Sequence, residues 1–303
     1  MKAIVFPGQG VQYKGMGKDL YDNFPKARDM FLRIDNILGK EVSSLCFSGE
    51  SELSEIYNQQ LAILATSLAS YEVFKERKIA VDFVSGLSLG IYSCLYPAEV
   101  LSLEDLVLLV EKRAQATKDA VAAIPSSMFA IIGKEKSYLE DIAKEEDYYI
   151  ANINSSRQIV IAVTDENKKK IKSILKSGSV KMREVDTGGG FHSPLMDSAT
   201  NSLRAYAAGV KFNDPCVPII SNLTARPMKD KDQIKQSIVD QLGRTVYWKD
   251  CVECMVSSGV DTFFEIGPSQ VLKGLIKDIA PKVCVVNLEN KENFDKLLDN
   301  STI

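Results

Sequence analysis

Hydrophobic residues fall along this chain in two rhythms, and the places where one gives way to the other mark its organisation. In the first third, short β-branched runs, KAIVF (2–6) and VDFVSG (81–86), alternate with QLAILATSLASYEVFKER (60–77) and SLEDLVLLVEKRAQATKDA (102–120), whose apolar positions recur at helical spacing. That alternation predicts a parallel sheet covered by helices. The rhythm changes at AAIPSSM (122–128) and again at GGG (188–190). Beyond the second break the first rhythm returns, with strand-like CVPIISN (216–222), DTFFEIG (261–267) and KVCVVNL (282–288) separated by helix-like segments. Residues 1–122 and 198–303 are therefore expected to form one interrupted α/β domain.

The stretch between the breaks has its own order. Strand-like SMFAIIG is followed by helix-like KSYLEDIAKE, two strand-like runs YYIANI and RQIVIAV, helix-like NKKKIKSILKS and strand-like VKMREVD. This is the βαββαβ order of a ferredoxin-like unit, so residues 123–197 are expected to be a small inserted subdomain. A cleft should lie where it meets the larger part.

Composition narrows the classes without choosing among them. With 303 residues, 45% apolar and 25% charged, the chain is an ordinary globular protein. A net charge of −3 offers no general basic field, which argues against nucleic acid as a partner. The opening MKAIVFPGQG is broken by Pro7 and Gly8 before it reaches the roughly 7–15 apolar residues of a signal peptide. No run approaches the roughly 18 residues that span a bilayer, so a cytoplasmic protein without a membrane contact is expected. Six cysteines in a chain of this length imply no disulfide framework. Cys251 and Cys254 form a CxxC, but it lies in a helix-like run with no second CxxC, and packed thiols rather than a metal site are expected.

Candidate chemistry begins at SGLSLG, where Ser88 stands between Gly86 and Gly90, after a strand-like run and before a helix-like one. A nucleophile on a sharp strand-to-helix turn needs that context; a small-residue turn between buried elements would share it. A serine hydroxyl also needs a base, and His192, in GGGFHSPLM at the edge of the insert, is the only histidine in the chain. Arg113 falls in the same helical stripe as Leu106, Leu109, Val110 and Thr117, so its guanidinium must find a partner: a structural ion pair, open water, or a substrate carboxylate. FPGQG (6–10) is a glycine-rich turn without the GKS or GKT ending of a phosphate loop, and its backbone N–H groups could serve an oxyanion hole. Lys168, Lys169, Lys170, Lys172, Lys176, Lys181 and Arg183 make a basic stretch, either a solvated face or a docking patch for an acidic partner.

Taken together, VFPGQGVQYKGMG, GLSLG, LVEKRA, ANINSSRQIVIA, FHSPLM, VPIISN, QLGRTVYW and FFEIGPSQVLKGL resemble the malonyl-CoA:acyl carrier protein transacylase family over nearly the whole chain. The resemblance implies an α/β-hydrolase-like large subdomain with an inserted ferredoxin-like small one. It implies Ser88 as nucleophile, His192 as general base and acid, and the main-chain carbonyl of Gln241 as the group that orients the histidine. Gln9 and Leu89 would supply oxyanion N–H groups, and Arg113 would bind the malonyl carboxylate. Phe191 resembles the malonyl-type members, and Asn154 and Asn222 match cleft positions counted with the substrate-binding set. The implied reaction moves malonyl from malonyl-CoA to the phosphopantetheine thiol of an acyl carrier protein, by a monomeric enzyme with no metal and no cofactor of its own.

Two positions depart from the family pattern: Leu87 stands where most members have histidine, and Ile91 where they have glutamate. Leucine before the serine is also similar to related hydrolases that clear acyl groups from carrier proteins, which is the alternative expectation. A catalytically silent scaffold that docks carrier proteins is a third.

Overall fold

The computed structural model describes residues 1–48, 51–134, 136–143, 148–177 and 180–299. Its strands are β1 (Lys2–Phe6), β2 (Phe83–Gly86), β3 (Ser126–Ile132), β4 (Tyr148–Ile153), β5 (Gln158–Thr164), β6 (Lys181–Val185), β7 (Ile219–Ile220), β8 (Pro227–Met228), β9 (Thr262–Ile266) and β10 (Cys284–Leu288). They form two sheets, one of six strands in the order β10-β9-β1-β2-β7-β8 and one of four in the order β4-β5-β3-β6. The first is parallel except for the short edge strand β8, and the second is antiparallel throughout.

In β1 the two-residue period of a strand decides where the core lies. Ile4 and Phe6 pack into one apolar cluster and Ala3 and Val5 into another, so both faces of the parallel sheet are covered, as crossover connections require. The helix Ile56–Lys75 is buried from Gln59 through Ser70 because it is packed between the sheet and two other helices, Pro25–Leu38 and Leu103–Ala123. Helix Leu103–Ala123 starts where Ser102 accepts the N–H of Asp105 at 3.0 Å. Helix Val271–Ile279 is capped from a distance, by the buried Glu265 carboxylate accepting from the N–H groups of Leu272 (2.8 Å) and Lys273 (2.9 Å).

The four-stranded sheet divides its residues in the same way. Phe129, Ile131, Ile161 and Val163 face a core of their own beneath helices Lys136–Ala143 and Lys168–Ser177. Met128, Ala130, Val160 and Ala162 face the main core. The strand–helix–strand–strand–helix–strand order expected for the insert is the order observed, although the last two residues of KSYLEDIAKE lie outside the described residues. A parallel bridge between Asn152 and Val246 ties β4 to the larger region: Ile153 N–H donates to Val246 O and Val246 N–H to Ala151 O, both at 2.8 Å.

Two elements are shorter than their sequence suggests. CVPIISN yields only the two-residue β7, because Pro218 has no N–H to add to the ladder and Ser221 turns away to bond Arg226 O at 3.0 Å. The helix after Ser88 runs only from Gly90 to Ser93 and gives way to turns ahead of Pro97, which disfavours helix in the residue before it. Cys251 is buried, Cys254 half-buried, and all six thiols are free. Among the described residues no helix is long and apolar enough to cross a membrane, and no cluster of three or more potential metal ligands occurs.

Candidate active site

Strands β1 and β2 pair in parallel with Phe6 opposite Gly86, so the FPGQG and GLSLG turns leave the sheet side by side at its carboxyl edge. The turn at Ser88 is tight enough to demand its flanking glycines. A Cβ on Gly90 would lie 2.1 Å from the Phe6 carbonyl oxygen, and one on Gly86 would lie 2.1 Å from the Gly90 carbonyl carbon. Ser88 itself sits at φ +54°, a left-handed conformation that costs a non-glycine residue about 1 kcal/mol or more.

His192 meets it from the return segment after β6. Its Nε2 lies 2.6 Å from Ser88 Oγ, and its Nδ1 lies 2.6 Å from the main-chain oxygen of Gln241. A carbonyl can only accept, so Nδ1 carries the proton and Nε2 is left to accept from the serine hydroxyl. Burial pulls the imidazole pKa down to about 4; the Gln241 carbonyl opposes this, and the positive charge of Arg113 adds to it. His192 is therefore a neutral base at physiological pH. Its own N–H donates to Leu242 O at 2.8 Å, so ring and backbone are both held by the Gln241–Gly243 turn.

The N–H groups of Gln9 and Leu89 have no acceptor among the described residues. That of Ser88 is taken by Asn222 Oδ1 at 2.9 Å. Gln9 and Ser88 line one small chamber of about 80 Å³ together with Leu87, Asn154, Phe191 and His192. His192 also borders an open cleft of about 1640 Å³ between β4 and the segments 221–228 and 243–247.

Arg113 lies fully buried behind Gln9 and Phe191. Its Nη1 donates to Gln60 Oε1 and, at 3.4 Å, to Gln9 Oε1. Its Nε and Nη2 have no partner, and no carboxylate among the described residues comes within ion-pair distance. The guanidinium is instead stacked 5.1 Å above the Tyr92 ring and 5.9 Å from that of Phe191. Burial depresses its pKa below the usual arginine value.

The structure thus gathers Ser88, His192, Gln241, Gln9, Leu89, Arg113, Phe191 and Asn154 around one chamber and its walls. Asn154 presents a buried, unpartnered Oδ1 there, while its Nδ2 donates to Gln158 Oε1 at 2.9 Å. Asn222 stands apart, because the elbow backbone occupies both of its amide atoms: Oδ1 accepts from Ser88 and Nδ2 donates to Gly86 O at 2.9 Å. Of the two departures, Leu87 lines the chamber, whereas Ile91 is buried in the main core. Gln60, Met128 and Val160 belong to the site and were not singled out from sequence. For Gln60 a signal exists: two adjacent amides, Gln59 and Gln60, interrupt the apolar face of an otherwise buried helix.

An oriented serine–histidine pair on a strand-to-helix turn, with free N–H groups beside it, is an arrangement suited to carrying an acyl group on serine. The acyl transferase domain family matches residues 3–290, and the chain belongs to that family. The malonyl CoA-acyl carrier protein transacylase of Bacillus subtilis (strain 168) is 37% identical over 300 residues, covering 97% of this chain and 95% of that protein. The crystal structure of malonyl CoA-acyl carrier protein transacylase from Clostridium perfringens superposes with a TM-score of 0.92 at 30% identity, over 99% of this chain and 96% of that one. A malonyl-transacylase solved in complex with its type II polyketide acyl-carrier protein superposes at 0.93, also at 30% identity, over 99% of both chains.

Proposed function

We propose that the protein transfers a malonyl group from malonyl-CoA to the phosphopantetheine thiol of an acyl carrier protein, through a malonyl ester on Ser88. The observation that carries this reading is the half-partnered Arg113. A buried guanidinium with two unpaired nitrogens and no carboxylate of its own is arranged to receive one, and malonyl brings one.

Ser88 Oγ attacks the thioester carbonyl as its proton passes to His192 Nε2, and the N–H groups of Gln9 and Leu89 receive the oxyanion. Collapse breaks the carbon–sulfur bond, and the CoA sulfur leaves with the proton from Nε2. The carrier thiol then enters and gives its proton to the same nitrogen. Its sulfur attacks the ester, and the second collapse returns the proton to Ser88 Oγ. The Gln241 carbonyl stabilises the imidazolium formed in each half, which offsets the cost of charging a buried ring. The mechanism uses no metal and no cofactor beyond the substrate's CoA and the carrier's phosphopantetheine.

In this reading residues 1–122 and 198–303 are an α/β-hydrolase-like large subdomain, and residues 123–197 a ferredoxin-like small one. The enzyme acts as a cytoplasmic monomer. An acidic carrier protein suits the basic stretch on helix Lys168–Ser177 and β6, although Lys168 and Lys172 already pair with Glu184. Incubation with malonyl-CoA, acetyl-CoA and holo carrier protein, followed by intact mass of both proteins, tests the proposal. A malonyl adduct on Ser88 that moves to the carrier is expected, and absence of the adduct defeats it.

Leu87 supports a second reading, hydrolysis of acyl carrier proteins, because it places an apolar side chain in the chamber beside the nucleophile. That reading requires free acid to appear faster than transfer product. Arg113 speaks against it, since a hydrolase of neutral acyl groups has no use for a buried cation.

A further inference from the structure

We infer that Asn222 is a positioning residue for the nucleophile, a role that rests on Ser88 carrying the acyl group but assigns Asn222 no contact with substrate. Strand β2 pairs with β7 only at Val84 and Ile219, so the sheet ladder ends before the elbow is reached. At that point the backbone of the neighbouring chain turns away, and the Asn222 side chain takes its place. Oδ1 accepts from Ser88 N–H and Nδ2 donates to Gly86 O, each at 2.9 Å, as a further strand residue would have done through its main chain. The amide is 1% exposed and backed by the buried Cys251, whose Sγ lies 3.9 Å from Nδ2 and 3.2 Å from Ser221 O.

Two consequences follow for Ser88. Its φ of +54° persists only if the surroundings hold it, and Asn222 grips the turn on both sides of Leu87. Fixing Ser88 N–H on Asn222 also leaves the next N–H, that of Leu89, as the elbow's unpaired donor. The main-chain oxygen of Asn222 accepts Tyr247 N–H at 2.8 Å, one residue beyond the Val246 bridge to β4. Since Gln241 and Leu242 hold His192, the segment 241–247 references both members of the catalytic pair to one strip of chain.

The test measures acylation of Ser88 by malonyl-CoA and, separately, by a fluorophosphonate, in wild type, Asn222→Ala and Asn222→Asp, with the melting temperature of each. A misplacement of about 1 Å costs on the order of a hundredfold, so Asn222→Ala should lose roughly 30- to 100-fold with both reagents and show an unchanged KM for malonyl-CoA. Asn222→Asp, which is isosteric and keeps the acceptor for Ser88 N–H but sets an oxygen against Gly86 O, should recover part of that loss. An effect confined to KM for malonyl-CoA, or fluorophosphonate labelling at the wild-type rate in Asn222→Ala, would overturn the inference in favour of substrate contact. Equal loss in both variants, tracking their melting temperatures, would overturn it in favour of a purely structural role. Wild type that takes up fluorophosphonate but no malonyl would reject the proposed transfer while leaving the role of Asn222 standing.

Discussion

His192 and Arg113 are both buried, at 3% and 0% exposure, yet their polar atoms are provided for in opposite ways. Each ring nitrogen of the histidine has a partner within 2.6 Å, both supplied by the protein. The arginine uses Nη1 on two glutamine side chains and leaves Nε and Nη2 without any. An unpaired buried polar group costs about 1–3 kcal/mol, more when charged, so the two open nitrogens of Arg113 leave hydrogen-bonding capacity that a ligand carboxylate would fill. The histidine's polar atoms are all satisfied within the fold, and the arginine's are not; in the proposed reaction the malonyl carboxylate supplies what is missing.

The largest test of this contrast removes the nucleophile. Ser88→Ala should lower turnover by on the order of 10⁴-fold or more and abolish the malonyl adduct by intact mass, with little change in malonyl-CoA affinity, because Arg113 is untouched. The histidine side is sharpened by pH. With the His192 pKa held near 4 rather than 6.5, fluorophosphonate labelling should stay level from pH 8 to about 5 and fall by half near 4. The same depressed value means that the unfolded chain binds the extra proton first as pH falls. The stability contributed by a neutral buried His192 is therefore full above 6.5 and lost progressively towards 4, which pH-dependent denaturant melts would show.

On the arginine side, Arg113→Ala should leave labelling by fluorophosphonate nearly intact. It should reduce the preference for malonyl- over acetyl-CoA by roughly 10- to 150-fold, the range given by a charge-assisted bond of about 1.5–3 kcal/mol. Equal losses with both substrates would mean that Arg113 is structural and would break the comparison. The smallest effect belongs to Gln60→Leu, which removes one acceptor from Nη1. A rise in KM for malonyl-CoA of roughly 2- to 10-fold with kcat preserved is expected, because the guanidinium keeps Gln9 Oε1 on Nη1 and its stacking on Tyr92, so only part of a charge-assisted bond of about 1.5–3 kcal/mol is lost.

Much of this architecture is legible in the sequence. Short β-branched runs such as KAIVF, alternating with helix-like stretches, predict a parallel sheet covered by helices, and Ser88 between glycines after such a run fits an elbow as well as a plain turn. What escaped is instructive for physical reasons. Met128 and Val160 wall the chamber because the four-stranded sheet turns its even-numbered β3 and β5 residues toward the main core, a packing choice with no local signature. The polarity of Gln60 in a buried helix face is visible in the sequence, but its partner is not, because Oε1 meets Arg113 from a helix 53 residues away in the chain. Asn222 could be placed near the cleft by resemblance, but its amide replacing a missing rung of ladder depends on where β7 stops.

The amino-acid sequence by itself determined the strand and helix order, the glycines that a turn of this tightness demands, and the scarcity that made His192 the only possible imidazole base. Those are properties of local chain geometry and of composition. Tertiary structure alone decided that residues 104 apart in the chain meet at 2.6 Å, that Gln60 rather than a carboxylate meets the Arg113 guanidinium, and that Arg113 keeps two nitrogens free. Such outcomes depend on how sheets and helices close upon one another, and burial then converts each contact into a pKa, a tautomer or an unfilled hydrogen bond.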